Sequence, residues 1–320
     1  MKKLILIFAV LFLSTVLKSQ DLQNVNFSES ELRLKTATGN IYGTLSIPET
    51  PEPSPIILII AGSGPTDRDC NSAMGLKTNA FKMMAKEFAA NGISTLRFDK
   101  RGIAESKAAM KSEADLRFDD YINDVVEWIA LLKTDPRFSR IIILGHSEGS
   151  LIGMIAAEQT KIAAYISISG AGRAIDEVLK EQLASKLPPQ LMEESNRILD
   201  TLKMGKTVSE VNPYLVTLYR PSVQPYMISW LKYDPAKEIK ILNIPALIIQ
   251  GTTDLQVSEK DAKLLAAAKP DAKLLIIENM NHVLKEADSD PQKNMATYYN
   301  PELPLKSGLV DEIVKFVNNK

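Results

Sequence analysis

Short apolar runs alternate with amphipathic stretches from residue 56 to the end of this 320-residue chain. Residues 56–60 are continuously apolar, which is typical of a strand that is covered on both faces. Residues 118–132 repeat apolar side chains at helical spacing, as a helix packed on a sheet does. Because such alternation folds into a mostly parallel sheet between layers of helices, the sequence predicts an α/β fold.

The predicted elements suggest a core with one insertion. Residues 31–36 and 41–48 read as a β-hairpin around a turn at 38–40. Together with these two, the later strands make a sheet of eight; they are predicted at 56–60, 93–98, 139–144, 163–169, 244–250 and 272–277. Residues 173–240 contain helical segments and no strand-like run. We therefore expect a core of residues 20–172 and 241–320, with a helical cap at 173–240, inserted after the sixth strand.

The N-terminus has the pattern of a secretory signal peptide. Lys2 and Lys3 precede an apolar stretch at 4–17, and Ser19 is a small residue suited to a cleavage site. The sequence thus predicts a signal peptide at 1–19 and export to the periplasm or the medium, without stable membrane insertion after cleavage. An uncleaved anchor is the alternative, although the stretch is shorter than the roughly 20 residues that a spanning helix needs.

Composition limits the classes of partner and cofactor that can be expected. The net charge is −1 and no basic run occurs, so the sequence does not indicate a nucleic-acid partner. The chain has one cysteine, Cys70, and hence no internal disulfide. No metal-ligand cluster, phosphate loop or dinucleotide fingerprint is present, so neither a metal nor a cofactor is expected. The oligomeric state is not determined by the sequence.

A G-x-S-x-G pentapeptide at 145–149 lies between the predicted strand at 139–144 and a helical stretch at 150–157. So tight a turn needs small residues two positions before and after Ser147. It lifts the serine hydroxyl clear of the sheet and directs the free N–H groups of the helix N-terminus at the same place. This context predicts that Ser147 is a nucleophile on a nucleophile elbow. A Gly-rich turn without chemistry is the alternative.

Candidate partners of Ser147 follow later strands. The chain has two histidines, and His146 lies inside the pentapeptide with its side chain expected to point away. His282, after the last predicted strand, is therefore the candidate base. Asp254, just past the strand at 244–250, is the candidate carboxylate that orients the imidazole. A capping role is the alternative for Asp254.

Two backbone N–H groups are needed to stabilise a tetrahedral oxyanion. The residue after the nucleophile, Glu148, is one candidate. The other lies in the Gly-rich loop that follows the strand at 56–60, where Ser63 is the first choice and Gly64 the second. A plain Gly/Pro turn is the alternative interpretation of that loop.

Five motifs together resemble a secreted bacterial α/β-hydrolase of the esterase and serine-aminopeptidase-like branch. They are A-G-S-G-P-T-D-R-D at 61–69, R-F-D-K-R-G at 97–102, G-H-S-E-G at 145–149, G-T-T-D at 251–254 and N-H at 281–282. The resemblance implies the α/β-hydrolase fold and cleavage of short acyl esters. Relatives usually carry glycine two residues after D-K-R-G, where this chain has Ala104.

Charged residues in these motifs are interpreted as structural. We expect opposite charges on two neighbouring loops to fasten the floor of the site, through Asp67, Arg68, Asp69, Asp99 and Arg101. The Glu148 carboxylate is expected either to face the pocket or to pair with Arg68 or Arg101.

The sequence predicts a serine hydrolase that cleaves small-molecule carboxylic esters of short to medium acyl length. A serine aminopeptidase or amidase is the first alternative, in which Glu193 and Glu194 would hold the free amine of the substrate. A non-catalytic binding protein on a hydrolase scaffold is the second. Apolar cap residues are candidates for the pocket wall or, equally, for the cap core; they are Tyr214, Tyr219, Tyr226, Met227 and Trp230.

Overall fold

The computed structural model describes residues 26–50 and 53–319, so the predicted signal peptide lies outside the described residues. Eight strands form one sheet, in the order β1-β2-β4-β3-β5-β6-β7-β8. Their bounds are β1 Phe27–Thr36, β2 Gly39–Pro48, β3 Ser54–Ile60, β4 Ser94–Phe98, β5 Phe138–His146, β6 Ala164–Ile168, β7 Ala246–Gly251 and β8 Lys273–Ile277.

The sheet is mixed at one edge and parallel elsewhere. β1 pairs with β2 and β2 pairs with β4 in antiparallel register, whereas the remaining neighbours are all parallel. This confirms the expected mostly parallel, eight-stranded α/β architecture. One detail differs. Thr36 pairs with Gly39, so residues 37 and 38 make the hairpin turn rather than residues 38–40.

Helices cover both faces of the sheet. They are α1 Ala80–Ala90, α2 Phe118–Leu132, α3 Glu148–Gln159, α4 Ile175–Ala184, α5 Pro189–Lys203, α6 Val216–Tyr219, α7 Gln224–Trp230, α8 Pro235–Lys240, α9 Glu259–Ala268, α10 Pro291–Ala296 and α11 Leu309–Asn318. Trp128 of α2 and Ile152 of α3 belong to the core on one face. Phe88 of α1 and Ile313 of α11 belong to the core on the other. Burial of these apolar stripes is the main force that holds the layers together.

Helices α4 to α8 all come between β6 and β7, where the cap was expected. They enclose a small apolar cluster of their own, which includes Ile198, Leu202 and Tyr219. The position of this block puts it next to the carboxyl ends of the parallel strands, where ligands of such sheets bind. Among the described helices, none has both the length and the apolar character that crossing a bilayer requires.

Candidate active site

Ser147 lies in a strained turn between β5 and α3. Its backbone has φ 54° and ψ −120°, a conformation that non-glycine residues rarely adopt. The two glycines of the pentapeptide make this turn possible. A Cβ on Gly145 would lie 2.2 Å from the carbonyl oxygen of Gly149, and one on Gly149 would lie 2.3 Å from that of Ile60. Strain of this kind persists only when the surrounding packing enforces it, and it concentrates at functional sites.

His282 and Asp254 meet beside this turn. His282 follows β8 and Asp254 follows β7, and these two strands are neighbours in the sheet. The Nδ1 atom of His282 lies 2.8 Å from Oδ2 of Asp254. Nδ1 therefore carries the proton that the carboxylate accepts, which leaves Nε2 as the basic nitrogen. His282 and Ser147 line the same cavity, of about 180 Å³.

Asp254 is held as a buried carboxylate. Its oxygens accept hydrogen bonds from the backbone N–H groups of Gln256 at 2.8 Å and Val257 at 2.9 Å. Burial opposes ionisation, but His282 and these N–H groups together lower the pKa of Asp254 below its ordinary value. The group is thus ionised and fixed in position, as an orienting partner of an imidazole must be.

His146 supports the backbone of His282. Its Nε2 donates to the backbone carbonyl of His282 at 2.8 Å, and the two rings lie 4.8 Å apart between centroids. Burial, helped by the neighbouring His282, lowers the pKa of His146 to about 3. His146 is therefore neutral at working pH and acts as a support.

Two further residues hold the site, and sequence reasoning gave neither of them a role. The amide of Gln250, at the end of β7, donates to Oδ2 of Asp254 at 3.0 Å. The buried Asn281 accepts hydrogen bonds from the backbone of Val283 and Lys285 through its side-chain oxygen. Only the position of Asn281 next to His282 hinted at its function, and nothing in the sequence marked Gln250.

The loop after β3 also approaches Ser147. A Cβ on Gly62 would lie 3.0 Å from Cβ of Ser147, so any larger residue there would crowd the nucleophile. Ser63 lines the cavity that contains His282 and also a larger cavity under the cap, where Gly64 and Glu148 lie beside Ser147. The two residues that carry the candidate N–H donors, Ser63 and Glu148, thus line the same cavity as the nucleophile.

The charged residues near the site form separate groups, each around one arginine. Arg68 grips Asp99, with Nη2 at 2.6 Å from Oδ2, and Arg97 binds Asp69 at 2.7 Å. Arg101 instead reaches back to Asp124 on α2. Within the expected set, the Arg68–Asp99 pair does join the two loops. Arg101 does not, and the carboxylate of Asp67 accepts hydrogen bonds from the backbone N–H groups of Asp69 and Asn71 in its own loop.

Glu148 lines the larger cavity, which was one of its two expected placements, but its carboxylate pairs with neither Arg68 nor Arg101. Glu148 pairs with Lys100, at 2.7 Å between Oε1 and Nζ, and both side chains are buried. Arg68 and Arg101 bind Asp99 and Asp124 instead.

Ala104 occupies the position where relatives usually carry glycine. Its φ is 42°, which lies in the left-handed region. The loop has therefore kept the backbone that favours glycine, at some conformational cost. The next residue, Glu105, pairs with Arg68.

The larger cavity has a volume of about 340 Å³ and lies between the cap and Ser147. Three of the five predicted wall residues line it: Tyr226, Met227 and Trp230. Two predictions need correction. Tyr214 is 84% exposed, and Tyr219 is buried in the cap core with its hydroxyl 2.7 Å from that of Ser195.

Fold and site together define the class of protein. A serine on a strained strand–helix turn and a histidine–carboxylate pair from the loops after the last two strands, in that chain order, are features of the α/β-hydrolases.

Comparison with known proteins agrees. The chain matches the family described as serine aminopeptidase, S33, over residues 73–288. It is 28% identical over 298 residues to the esterase EstD of Thermotoga maritima, covering 91% of this chain and 68% of that protein. Est1E of Butyrivibrio proteoclasticus, solved with ferulic acid, has a similar fold; its TM-score is 0.61 at 16% identity, covering 90% of this chain and all of that one.

A peptidase also has this fold. The puromycin-hydrolysing peptidase of Mycobacterium tuberculosis matches with a TM-score of 0.56 and 17% identity, over 91% of this chain and 40% of that one. The chain belongs to the serine aminopeptidase S33 family. It is an enzyme of the esterase and aminopeptidase-like branch of the α/β-hydrolases.

Proposed function

We propose that this enzyme hydrolyses carboxylic esters through a triad of Ser147, His282 and Asp254. One observation carries the proposal: the imidazole that Asp254 orients at 2.8 Å lines the same cavity as the strained Ser147. The relative EstD, named as an esterase, supports ester over amide substrates.

In the proposed mechanism, Nε2 of His282 takes the proton of the Ser147 hydroxyl as the oxygen attacks the ester carbonyl. Asp254 stabilises the imidazolium that forms. The N–H groups of Ser63 and Glu148 bind the oxyanion, with Gly64 the second choice for the first donor. His282 then protonates the leaving alcohol, and water repeats the cycle on the acyl-enzyme.

The two cavities suggest where the acyl group and the alcohol group of the substrate bind. The alcohol must leave beside His282, because His282 protonates it. We therefore assign the alcohol to the cavity of about 180 Å³, where no charged lysine, arginine, aspartate or glutamate side chain lies among the described lining residues. The acyl group then takes the cavity of about 340 Å³ against Tyr226, Met227 and Trp230. The preferred substrate is an ester of a medium-length or aromatic acid with a small neutral alcohol.

Replacing the nucleophile tests the reaction. Ser147→Ala is expected to lower kcat on p-nitrophenyl butyrate by about 10⁴-fold or more, because the acyl-enzyme cannot form. Ser150→Ala, in the helix that follows this turn, is the matched control. Parental activity of Ser147→Ala would refute the assignment.

A substrate series tests the division. With ethanol as the alcohol, kcat/KM should rise from acetate to octanoate; with butyrate as the acid, it should fall from ethyl to octyl esters. Leu76→Trp narrows the smaller cavity, so it should change kcat/KM only in the series that varies the alcohol. A change only in the series that varies the acid would reverse the assignment of the two cavities.

An aminopeptidase is the second candidate, since the family bears that description. Such an enzyme needs an acidic group free to bind the amine of its substrate. Glu194 instead accepts a hydrogen bond from the Asn212 backbone, and Glu148, the acidic residue among the described cavity walls, is paired with Lys100. We expect an alanine p-nitroanilide to react far more slowly than p-nitrophenyl esters.

A binding protein without catalysis is the remaining alternative. We expect a fluorophosphonate probe to label Ser147, and an unlabelled native protein would favour the binding role. We also propose that residues 1–19 direct export and that residues 173–240 act as the cap. N-terminal sequencing of the protein secreted by its host would test the first of these, with Gln20 as the expected first residue.

A further inference from the structure

The buried Lys100 joins the two sides of the proposed oxyanion hole. It lies just past β4, and β3, which is followed by the Gly-rich loop, is the neighbour of β4 in the sheet. The ammonium group donates to the carbonyl oxygen of Gly62 at 2.7 Å and to Oε1 of Glu148 at 2.7 Å. The ring of Tyr121 covers it at 4.7 Å from the centroid.

The bond to Gly62 determines where the N–H of Ser63 points. The Gly62 carbonyl and the Ser63 N–H belong to one peptide unit, and the described part of the chain contains no cis peptide bonds. In a trans peptide the C=O and N–H point in opposite directions. Because Lys100 fixes the oxygen, the N–H is turned away from Lys100. A charge-assisted bond also polarises the peptide and makes its N–H a better donor.

The bond to Glu148 holds the second donor. Glu148 is the first residue of α3, so its backbone N–H has no partner within the helix. Its side chain reaches Lys100, which fixes this first turn relative to the Gly62–Ser63 peptide. The ion pair has no net charge, so we attribute its effect on the reaction to how it positions and polarises the two donors.

We propose that Lys100 is a positioning residue that aligns both oxyanion-hole donors with the Ser147 oxyanion. This inference rests on the proposed ester hydrolysis. It predicts that removal of Lys100 weakens binding of the transition state more than binding of the substrate.

Lys100→Met is the first test. Loss of a whole oxyanion donor lowers kcat by about 10²–10³-fold, so two misaligned donors should cost about 10- to 100-fold. We expect KM for p-nitrophenyl butyrate to stay within about threefold, and the inhibition constant of an alkyl trifluoromethyl ketone, which mimics the tetrahedral state, to rise as far as kcat/KM falls.

Lys269→Met is the matched control. Lys269 is also buried and also bridges a carbonyl and a carboxylate, those of Leu242 and Asp271, but at the amino ends of the strands. It should lose stability without losing kcat or inhibitor affinity.

A double variant separates alignment from folding. Lys100→Met alone leaves Glu148 buried and unpaired, whereas Lys100→Met with Glu148→Met replaces the whole ion pair by apolar groups, which proteins often tolerate. We expect the double variant to regain thermal stability while kcat and trifluoromethyl ketone affinity stay low. Recovery of both with stability would overturn the positioning role. If Ser147→Ala is inactive while Lys100→Met retains parental kcat, this inference fails and the proposed function stands.

Discussion

The loops at the carboxyl ends of the strands and the helical cap are constrained in different ways. At the catalytic edge, meaning the loops that follow β3, β4, β5, β7 and β8, backbone atoms leave no free space around Gly145 and Gly149. In the cap, Met204 is 65% exposed, and a side chain on Gly205 would meet nothing within 4 Å. Backbone packing thus constrains side chains at the catalytic edge, whereas the cap surface has room for side chains of different size.

The largest expected difference concerns two aspartates. Asp254→Asn should lower kcat by about 10⁴-fold, because an amide cannot stabilise the imidazolium of His282. Asp200→Asn, in the cap, removes only a surface ion pair with Lys180 and should leave kcat unchanged. Steady-state assays with p-nitrophenyl butyrate measure both. A kcat of Asp254→Asn within tenfold of the parent would break the comparison.

Two glycines should differ in stability. Gly149→Ala forces a Cβ against the Ile60 carbonyl at 2.3 Å and should cost about 3 kcal/mol of unfolding free energy. Gly205→Ala meets no atom but has φ 76°, and should cost about 1 kcal/mol. Urea unfolding gives both values. Equal losses would mean that the catalytic edge relaxes as readily as the cap.

Cap substitutions should change selectivity. Trp230 lines the larger cavity and stacks on Phe118 at 5.5 Å. Trp230→Ala should lower the ratio of kcat/KM for octanoate to that for acetate by about tenfold. Tyr214→Ala, on the exposed cap surface, should leave this ratio unchanged. Equal effects of the two changes would remove the cap wall from the acyl site.

The last prediction concerns the pH dependence of stability, with an effect of about 1.4 kcal/mol per pH unit. His146 has its pKa lowered to about 3 in the native state, against 6.5 for an ordinary histidine. As the pH falls, the unfolded chain therefore binds the proton before the native protein does. The free energy of unfolding is highest above about pH 6.5 and falls by about 1.4 kcal/mol per pH unit from there towards pH 3.

His146→Gln keeps a donor for the His282 carbonyl and removes this titration. Urea unfolding at pH 7, 6 and 5 should show a slope in the parent that is steeper by about 1.4 kcal/mol per unit between pH 6 and 5. Parallel curves would contradict a neutral, buried His146.

Local patterns were enough to predict the fold and the three candidate catalytic residues. The pentapeptide at 145–149 is a contiguous signal, and Asp254 and His282 each follow a strand whose carboxyl end lies at the same edge of the sheet. The partner of Glu148 is different. Three cations lie in the motifs at 61–69 and 97–102: Arg68, Lys100 and Arg101. The choice among them depends on β3 lying between β4 and β5, which no local pattern specifies.

The cap aromatics show a second limit of the sequence. Helical spacing cannot distinguish a side chain in the cap core from one in a cavity wall, because both faces are apolar. Tyr219 and Tyr226 both looked suited to the pocket, yet Tyr219 turns inward to Ser195 and Tyr226 faces the cavity.

Cys70 is the one thiol of the sequence, and we expect it to react slowly with thiol reagents in the native state. It is buried, and burial raises its pKa to about 12, so almost no thiolate is present at neutral pH. Its loop carries Thr66 and Leu76 of the smaller cavity wall. Cys70 itself also lines this cavity, so we expect a ligand in the proposed alcohol site to slow its labelling by a maleimide dye.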